Sequence, residues 1–379
     1  MLPGPNPDRI SLADVFPSCL AALSGVANQL GFGRVDSAIV VLVDGLGASS
    51  LRARGGHART MSTALAAGPT IDSIFPTTTA AALASLTTGV RPGIHGLVGY
   101  SVLDAAHDRV INQLSGWDDE LDPAVWQSED TVFQRAGEMG FDAVVVGPAR
   151  YEDTGFTHAV LRGARYRAAA SIADRFRAAA DWLRESRPSG LLYLYIPELD
   201  SAAHKYGWES PEWTARLEEL DGELAAFVAH LGASDGVVLT ADHGVVDVPT
   251  SSHILIDTAP ELLEGIRFVA GEPRCLQLHF DADLSADDRE ALVALWRQYE
   301  SSRSWVVTRE EAIEAGWFGT VSKTVEPRIG DLLVAARKKI AYYDARTASV
   351  SSMQMVGQHG SWSAEEMQVP LLRFGAFGR

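Results

Sequence analysis

Residues 37–47 read SAIVVLVDGLG. The first seven are small or apolar, rich in β-branched side chains and unbroken by charge. A strand buried on both faces of a parallel sheet requires that pattern. Asp44 closes the run, and Gly45 and Gly47 follow it. A carboxylate there projects from the carboxyl end of a strand, where open α/β sheets gather their functional groups. The glycines permit a tight turn or a close backbone approach. Asp44 reads equally as a helix N-cap after the strand.

Similar apolar runs recur at 143–146, at 190–196 (GLLYLYI) and at 236–240 (GVVLT). Between them lie helix-like segments: an Ala-rich one at 79–86, and two with apolar residues three and four apart at 171–185 and 211–231. Strands alternating with helices predict an α/β fold, a mostly parallel central sheet covered by helices on both faces. The stretch 264–343 differs in texture. It reads as strand 274–280, helix 286–299, and strands 305–308 and 330–336. We take it as a small α+β insertion, leaving 1–263 and 344–379 as the main α/β domain.

Further motifs stand where strand ends should be. After GLLYLYI comes PELDSAAHKYG, in which Asp200 and His204 are four residues apart. On a helical turn that spacing puts both on one face, close enough to share a cation. A surface ion pair is the alternative. After GVVLT comes ADHG, with Asp242 and His243 adjacent. His359 sits between glycines in GQHGSWS, without helical pattern. Thr77, Thr78 and Thr79 precede the Ala-rich helix. A hydroxyl at a helix start lies near free N–H groups that favour a phosphoryl anion, although capping explains threonines there equally well. Asp, Thr, Asp/His, Asp-His and His after successive elements are the ligand number a two-cation site needs.

The formal net charge is −17. Such a surface repels nucleic-acid polymers and anionic membranes, so neither is expected as a partner. A small phosphorylated substrate remains compatible if bound metal supplies local positive charge. Cys19 and Cys275 match no zinc spacing and are expected as free, buried thiols, which suits a reducing cytosol. Residues 1–22 lack a basic start followed by an apolar run, and no window is apolar enough to span a bilayer. A cytoplasmic location is therefore expected. Residues 147–167 carry Arg150, Arg162, Arg165 and Arg167. Part of this basic segment, Arg150 foremost, is a candidate substrate contact; a solvated loop is the alternative.

The order of these motifs resembles the alkaline phosphatase superfamily and, within it, the type I phosphodiesterase/nucleotide pyrophosphatase family, from about Ser37 to Val369. The resemblance implies a hydrolase of phosphodiester or pyrophosphate bonds in nucleotide-type substrates, acting through a covalent phosphoryl-threonine. It implies two divalent metal ions, expected to be zinc. One would be held by Asp200, His204 and His359, the other by Asp44, Asp242 and His243. Counting back from Thr88-Gly89 selects Thr79 as the nucleophile that also bridges to the second metal. The chain departs from the family pattern at Ala80, Ala81 and Ala82, and at Tyr100, where the family has an asparagine that holds a phosphate oxygen. Either Tyr100 donates through its hydroxyl or the segment is arranged differently. Phosphomonoesterase and phosphonate hydrolase fit the same ligands. A non-catalytic metal-binding relative is the reading from a different class.

Overall fold

A computed structural model describes residues 2–185 and 189–378. A six-stranded and a four-stranded sheet carry the fold. Their strands, in chain order, are β1 (Ser37–Val43), β2 (Asp142–Gly147), β3 (Arg165–Ala168), β4 (Gly190–Ile196), β5 (Asp235–Thr240), β6 (Ile266–Glu272), β7 (Cys275–Phe280), β8 (Ser304–Thr308), β9 (Leu332–Ala336) and β10 (Leu372–Gly375). The helices used below are α1 (Thr79–Thr88), α2 (Gly155–Val160), α3 (Ile172–Arg184), α4 (Glu198–Tyr206), α5 (Pro211–Val228) and α6 (Ala286–Glu300).

The larger sheet runs in the order β10-β5-β1-β4-β2-β3. Neighbours from β5 to β3 are parallel, and β10 adds an antiparallel edge. Every residue of β1 is buried, so both faces of its sheet are covered. Each buried Val, Leu or Ile of that strand contributes about 1.5–3 kcal/mol of transfer free energy. The helix boundaries follow local chemistry. Ser171 and Asp174 form a capping box at the start of α3, and Ser210 caps α5 with Pro211 in its first turn.

The smaller sheet runs β6-β7-β9-β8 and is antiparallel throughout. Its first strand, β6, was not foreseen from the sequence. Alternate residues face two different cores. Leu276, Leu278, Leu332 and Val334 pack with Trp296 of α6. Cys275, Leu333 and Ala335 pack with Phe75, Val98, Val102 and Ile111. The core of this sheet is thus shared with residues that lie far earlier in the chain. Gln277 Nε2 donates to Val98 O at 2.7 Å, and Ser101 Oγ donates to Gly271 O at 2.8 Å. A buried bidentate pair, Arg274 to Glu366 at 2.7 and 2.8 Å, fastens β7 to the segment after His359.

No helix among the described residues is long and apolar enough to cross a membrane. Cys19 and Cys275 are free and buried, as the sequence suggested.

Candidate metal centre and substrate cavity

β5, β1 and β4 are neighbours at the middle of the larger sheet. Asp44 directly follows β1, Asp242 follows β5 by two residues, and Asp200 lies in the first turn of α4 after β4. Parallel strands lie about 4.8 Å apart, so three successive strand ends bring three carboxylates together. Gly45 makes the turn after Asp44 with φ of +74°, and a Cβ there would sit 3.0 Å from the Cβ of Asp200. Only glycine meets both demands without strain.

Each carboxylate has one oxygen held by the protein and one without a partner. Asp44 Oδ2 accepts from the Tyr195 hydroxyl. Asp242 Oδ1 accepts from the backbone N–H of Gly45 at 3.1 Å and of His243 at 2.9 Å. Asp200 Oδ2 lies 3.2 Å from His204 Nε2. Asp44 Oδ1, Asp200 Oδ1 and Asp242 Oδ2 are buried without a hydrogen-bond partner, with His243 Nε2 3.6 Å from the first and 3.4 Å from the last. Buried carboxylate oxygens left in this state are costly unless a cation takes them.

The three imidazoles are fixed in one sense. Nδ1 of His204 bonds Gly357 O at 2.7 Å, Nδ1 of His359 bonds Thr77 O at 2.7 Å, and Nδ1 of His243 bonds Gly244 O at 3.2 Å. For His243 and His359, donation from Nδ1 to a carbonyl leaves the Nε2 lone pair facing the site, the usual second layer around a metal-binding histidine, whereas His204 Nε2 faces Asp200. Two groups of side chains come close enough to hold a metal ion: Asp44, Asp242 and His243, and Asp200, His243 and His359. The first is the trio expected from the sequence. The second differs from expectation by containing His243 in place of His204. His204 instead pairs directly with Asp200, while the His243 and His359 rings stack at 3.7 Å between centroids.

Burial, with the charges of Asp242 and Asp200 added, pushes the Asp44 carboxyl well above its ordinary range. Burial and Asp200 push Asp242 up to about 6. Burial lowers His243 to about 4, and burial together with His243 lowers His359 to about 3, so both imidazoles are neutral. For His204, burial opposes the charged form, but Asp200 outweighs it and lifts the imidazole to about 9. Without cations the site concentrates negative charge that the fold resists. Donor set, orphaned oxygens and imidazole orientation together fit divalent cations.

The three threonines have separate tasks. Thr77 Oγ1 donates to Ser361 O and accepts from Gly360 N, both at 2.9 Å, which ties down the His359 loop. The Thr78 hydroxyl lies near enough to Glu272 to favour its charged form. Thr79 opens α1, and its Oγ1 lies 3.3 Å from His243 Nε2.

A cavity of about 370 Å³ opens over this centre. Asp44, Thr79, Asp200, His204 and His359 line it, while Asp242 and His243 lie behind them, fully buried. Tyr100 lines the cavity, and its backbone N–H donates to Glu272 Oε2 at 3.1 Å. Glu272 itself is buried, lines the cavity and leaves Oε1 unpaired. Residues 147–167 do reach the cavity, but through Tyr151, Thr154, Phe156 and their uncharged neighbours. Arg150 is not among the lining residues; it stacks on Tyr151 with its guanidinium 4.6 Å from the ring centre. Arg165 pairs with Asp142 at 2.8 Å, Arg167 with Glu185, and Arg162 donates to Ala159 O and Glu129 O at 2.8 and 2.9 Å. These arginines brace an edge strand and a helix end and do not line the cavity.

Sequence reasoning missed Tyr195, Glu272 and the apolar lining. Only Tyr195 left a signal: Tyr193 and Tyr195 place two phenols on one face of an otherwise aliphatic strand.

Residues 38–362 match the profile of the family described as type I phosphodiesterase / nucleotide pyrophosphatase. The chain belongs to this family. A curated human relative, bis(5'-adenosyl)-triphosphatase ENPP4, is 25% identical over 200 residues, which is 50% of this chain and 42% of that protein. The chain therefore spans less than half the length of that relative. Among solved structures it is similar to murine ectonucleotide pyrophosphatase/phosphodiesterase 5 in complex with AMP, with a TM-score of 0.69 at 18% identity, covering 89% of this chain and 88% of that one. Phosphonoacetate hydrolase from Sinorhizobium meliloti 1021 is similar to the same degree, with a TM-score of 0.70 at 20% identity and coverage of 90% and 91%. Both likenesses concern the fold: the family's mostly parallel sheet with flanking helices.

Proposed function

We propose that the chain is a two-cation hydrolase of phosphodiester or pyrophosphate bonds, with Thr79 as the nucleophile and zinc as the metal. Asp44, Asp242 and His243 would hold one cation, and Asp200, His204 and His359 the other. The observation that carries this reading is the meeting of Thr79 Oγ1, three imidazole Nε2 atoms and three unpaired carboxylate oxygens at one end of one cavity. Bound there, divalent cations neutralise the phosphoryl oxygens and lower the pKa of a coordinated hydroxyl.

Thr79 sits at the first position of a buried helix, where free backbone N–H groups face an incoming phosphoryl group. Its Oγ attacks phosphorus and gives up its proton to water. The bond from phosphorus to the leaving oxygen breaks, and that oxygen is protonated by water. Water then cleaves the phosphoryl-threonine and restores the hydroxyl. Tyr195 keeps Asp44 oriented, and the Thr77 bridges keep His359 facing the site. Tyr100 lines the cavity wall, and counting along the sequence gives it the position of the family's phosphate-holding asparagine.

No lysine or arginine lines the cavity among the described residues. A substrate with a second anionic group, such as a phosphonocarboxylate, would find no cationic side chain, so a diester is favoured over a phosphonate of that kind. The test is turnover of bis(4-nitrophenyl) phosphate by zinc-loaded protein and by Thr79→Ala. Turnover by the wild type and a loss of at least about a thousandfold in the variant are expected. A variant within tenfold of wild type overturns the nucleophile assignment.

A further inference from the structure

Glu272 ends β6 at the cavity, outside both groups of side chains that can hold a metal ion. Its carboxyl sits between the start of α1 and the His359 loop. Oε2 accepts from Tyr100 N at 3.1 Å, and the Thr78 hydroxyl, one residue before Thr79, is close by. On the loop side is Gly360, the residue after His359, with φ of +132°. A Cβ there would press on Glu272 Cγ and lie 3.2 Å from Oε1, so glycine is what admits the carboxyl. Oε1 is buried and has no partner in the protein. A carboxyl admitted at such close quarters and left half-satisfied is costly unless a ligand completes it.

We propose that Glu272 is a hydrogen-bond donor to substrate, its carboxyl giving the Oε1 hydrogen to a phosphoryl oxygen of the ester whose hydrolysis is proposed above. The inference rests on that reading for the identity of the ligand, since any oxyanion in the cavity could accept the hydrogen. Oε2 already accepts from Tyr100 N, so the proton belongs on Oε1, where the protein offers no acceptor. The surroundings keep it there. Burial pushes the carboxyl up to about 8, and Tyr100 N and Thr78 offset only part of this. Glu366, although paired with Arg274, adds its charge in the same upward direction, and His359 in the adjoining loop is neutral. A phosphoryl anion arriving beside the group favours the protonated form further. The rest of the lining leaves a place for such a donor. Leu83, Leu114 and Val145 have nothing to donate, and no lysine or arginine lines the cavity among the described residues. Ionised, Glu272 would repel the phosphoryl group; protonated, it holds it. Substrate binding thus carries a contact that is lost as this carboxyl ionises.

Methylphosphonate, titrated calorimetrically into the zinc-loaded protein at pH 6.5 and at pH 9.5, reads the contact without turnover. Wild type is compared with Glu272→Gln, Glu272→Leu and, independently of the last, Glu272→Ala. Turnover of bis(4-nitrophenyl) phosphate is assayed alongside. Glutamine supplies an N–H that does not ionise, whereas leucine and alanine supply no donor. At pH 6.5 the Leu and Ala variants should bind the phosphonate about tenfold or more weakly than wild type, as expected for a lost hydrogen bond to a charged group. Glutamine should recover at least about fivefold of that loss. All other ionisations are common to wild type and Glu272→Gln, so the ratio of their dissociation constants isolates this carboxyl. That ratio should shift at least about tenfold in favour of glutamine between pH 6.5 and pH 9.5. A carboxyl that serves the fold alone would leave the ratio fixed. Wild-type affinity in the Leu and Ala variants, or a ratio that does not move with pH, overturns the proposal. The expected phosphonate pattern with no ester hydrolysed would sink the hydrolase reading and leave the donor standing. Ester turnover that the Leu and Ala variants keep at wild-type efficiency would do the reverse.

Discussion

The two walls of the cavity are built on opposite principles. One holds charged and polar groups whose partners are nearly all fixed, leaving free only the atoms that face the centre. The other is made of ordinary core side chains that happen to stop short of one another. Orientation matters on the first wall: an imidazole turned by its Nδ1 bond, or a carboxylate with one oxygen tied, can do one thing. On the second wall only shape and size matter. On the function proposed above, reactivity would belong to the first wall and selection among substrates to the second.

The largest test of that division is Asp242→Asn. The amide oxygen can still accept from Gly45 N and His243 N, so the turn survives, but an NH2 replaces the unpaired Oδ2. Bound metal should fall on elemental analysis, and turnover should drop on the order of a hundredfold to a thousandfold. Without metal the order of stability should invert. Asp242 is pushed up to about 6 by burial and Asp200, so its charge destabilises the metal-free fold above that pH. The metal-free variant should then melt higher than metal-free wild type at pH 8. If the variant keeps its metal and most of its turnover, the polar wall is not the reactive one.

The polar wall was far more legible in the sequence than the apolar one, and for a physical reason. Asp44, Asp200, Asp242 and His243 each come just after an uninterrupted apolar strand, and the adjacent Asp242 and His243 have the least structural reason to sit there, while Asp44 read equally as a helix cap. The central strands β1 and β4 announced themselves within a residue because full burial demands an unbroken run. Leu83, Leu114 and Val145 carry no such mark, because a residue facing a cavity is chosen for the same apolarity as one facing the core. The edges of the larger sheet were hidden too. β3 reads RYRA, a basic segment suggesting substrate contact, and its arginines pair with Asp142 and Glu185 instead. β10 has four residues, too few to show a period. His204 shows a finer limit: the four-residue spacing placed it beside Asp200, but spacing alone could not say that His243 would group with Asp200 and His359.

Glu272 lies where the walls meet and sharpens the boundary between them. Burial pushes its carboxyl up to about 8, with hydrogen bonds from Tyr100 N and Thr78 only partly offsetting this. Its folded value lies above its ordinary one, so the folded chain keeps a proton that the unfolded chain releases. The stability this group contributes is then full below about pH 4.5 and declines until about pH 8, where the folded carboxyl also ionises. Glu272→Gln removes that decline. Thermal melts should show the variant more stable at pH 8 by on the order of 1–3 kcal/mol and little changed at pH 5. An equal effect at both values would mean that packing and not charge governs the position.

The smallest expected effect is the one the sequence made most tempting. Arg150 is exposed, and its guanidinium lies on the outer face of Tyr151 while Nη2 donates to the Tyr151 hydroxyl at 3.0 Å. Tyr151 in turn meets Tyr195 edge-on at 5.8 Å, and Tyr195 bonds Asp44. Arg150 is therefore two rings away from the centre. Removing an exposed side chain at that distance should alter stability within about 0.5 kcal/mol. Catalytic efficiency of Arg150→Ala on a dialkyl or aryl phosphodiester should stay within about twofold of wild type, with no change in salt dependence. Tyr151→Ala should cost more, because Tyr151 lines the cavity and supports Tyr195. A tenfold loss in Arg150→Ala, larger for substrates with a second negative charge, would give the second wall a charged member. Selection would then rest on charge as well as shape, and the division between the walls would fail at the rim.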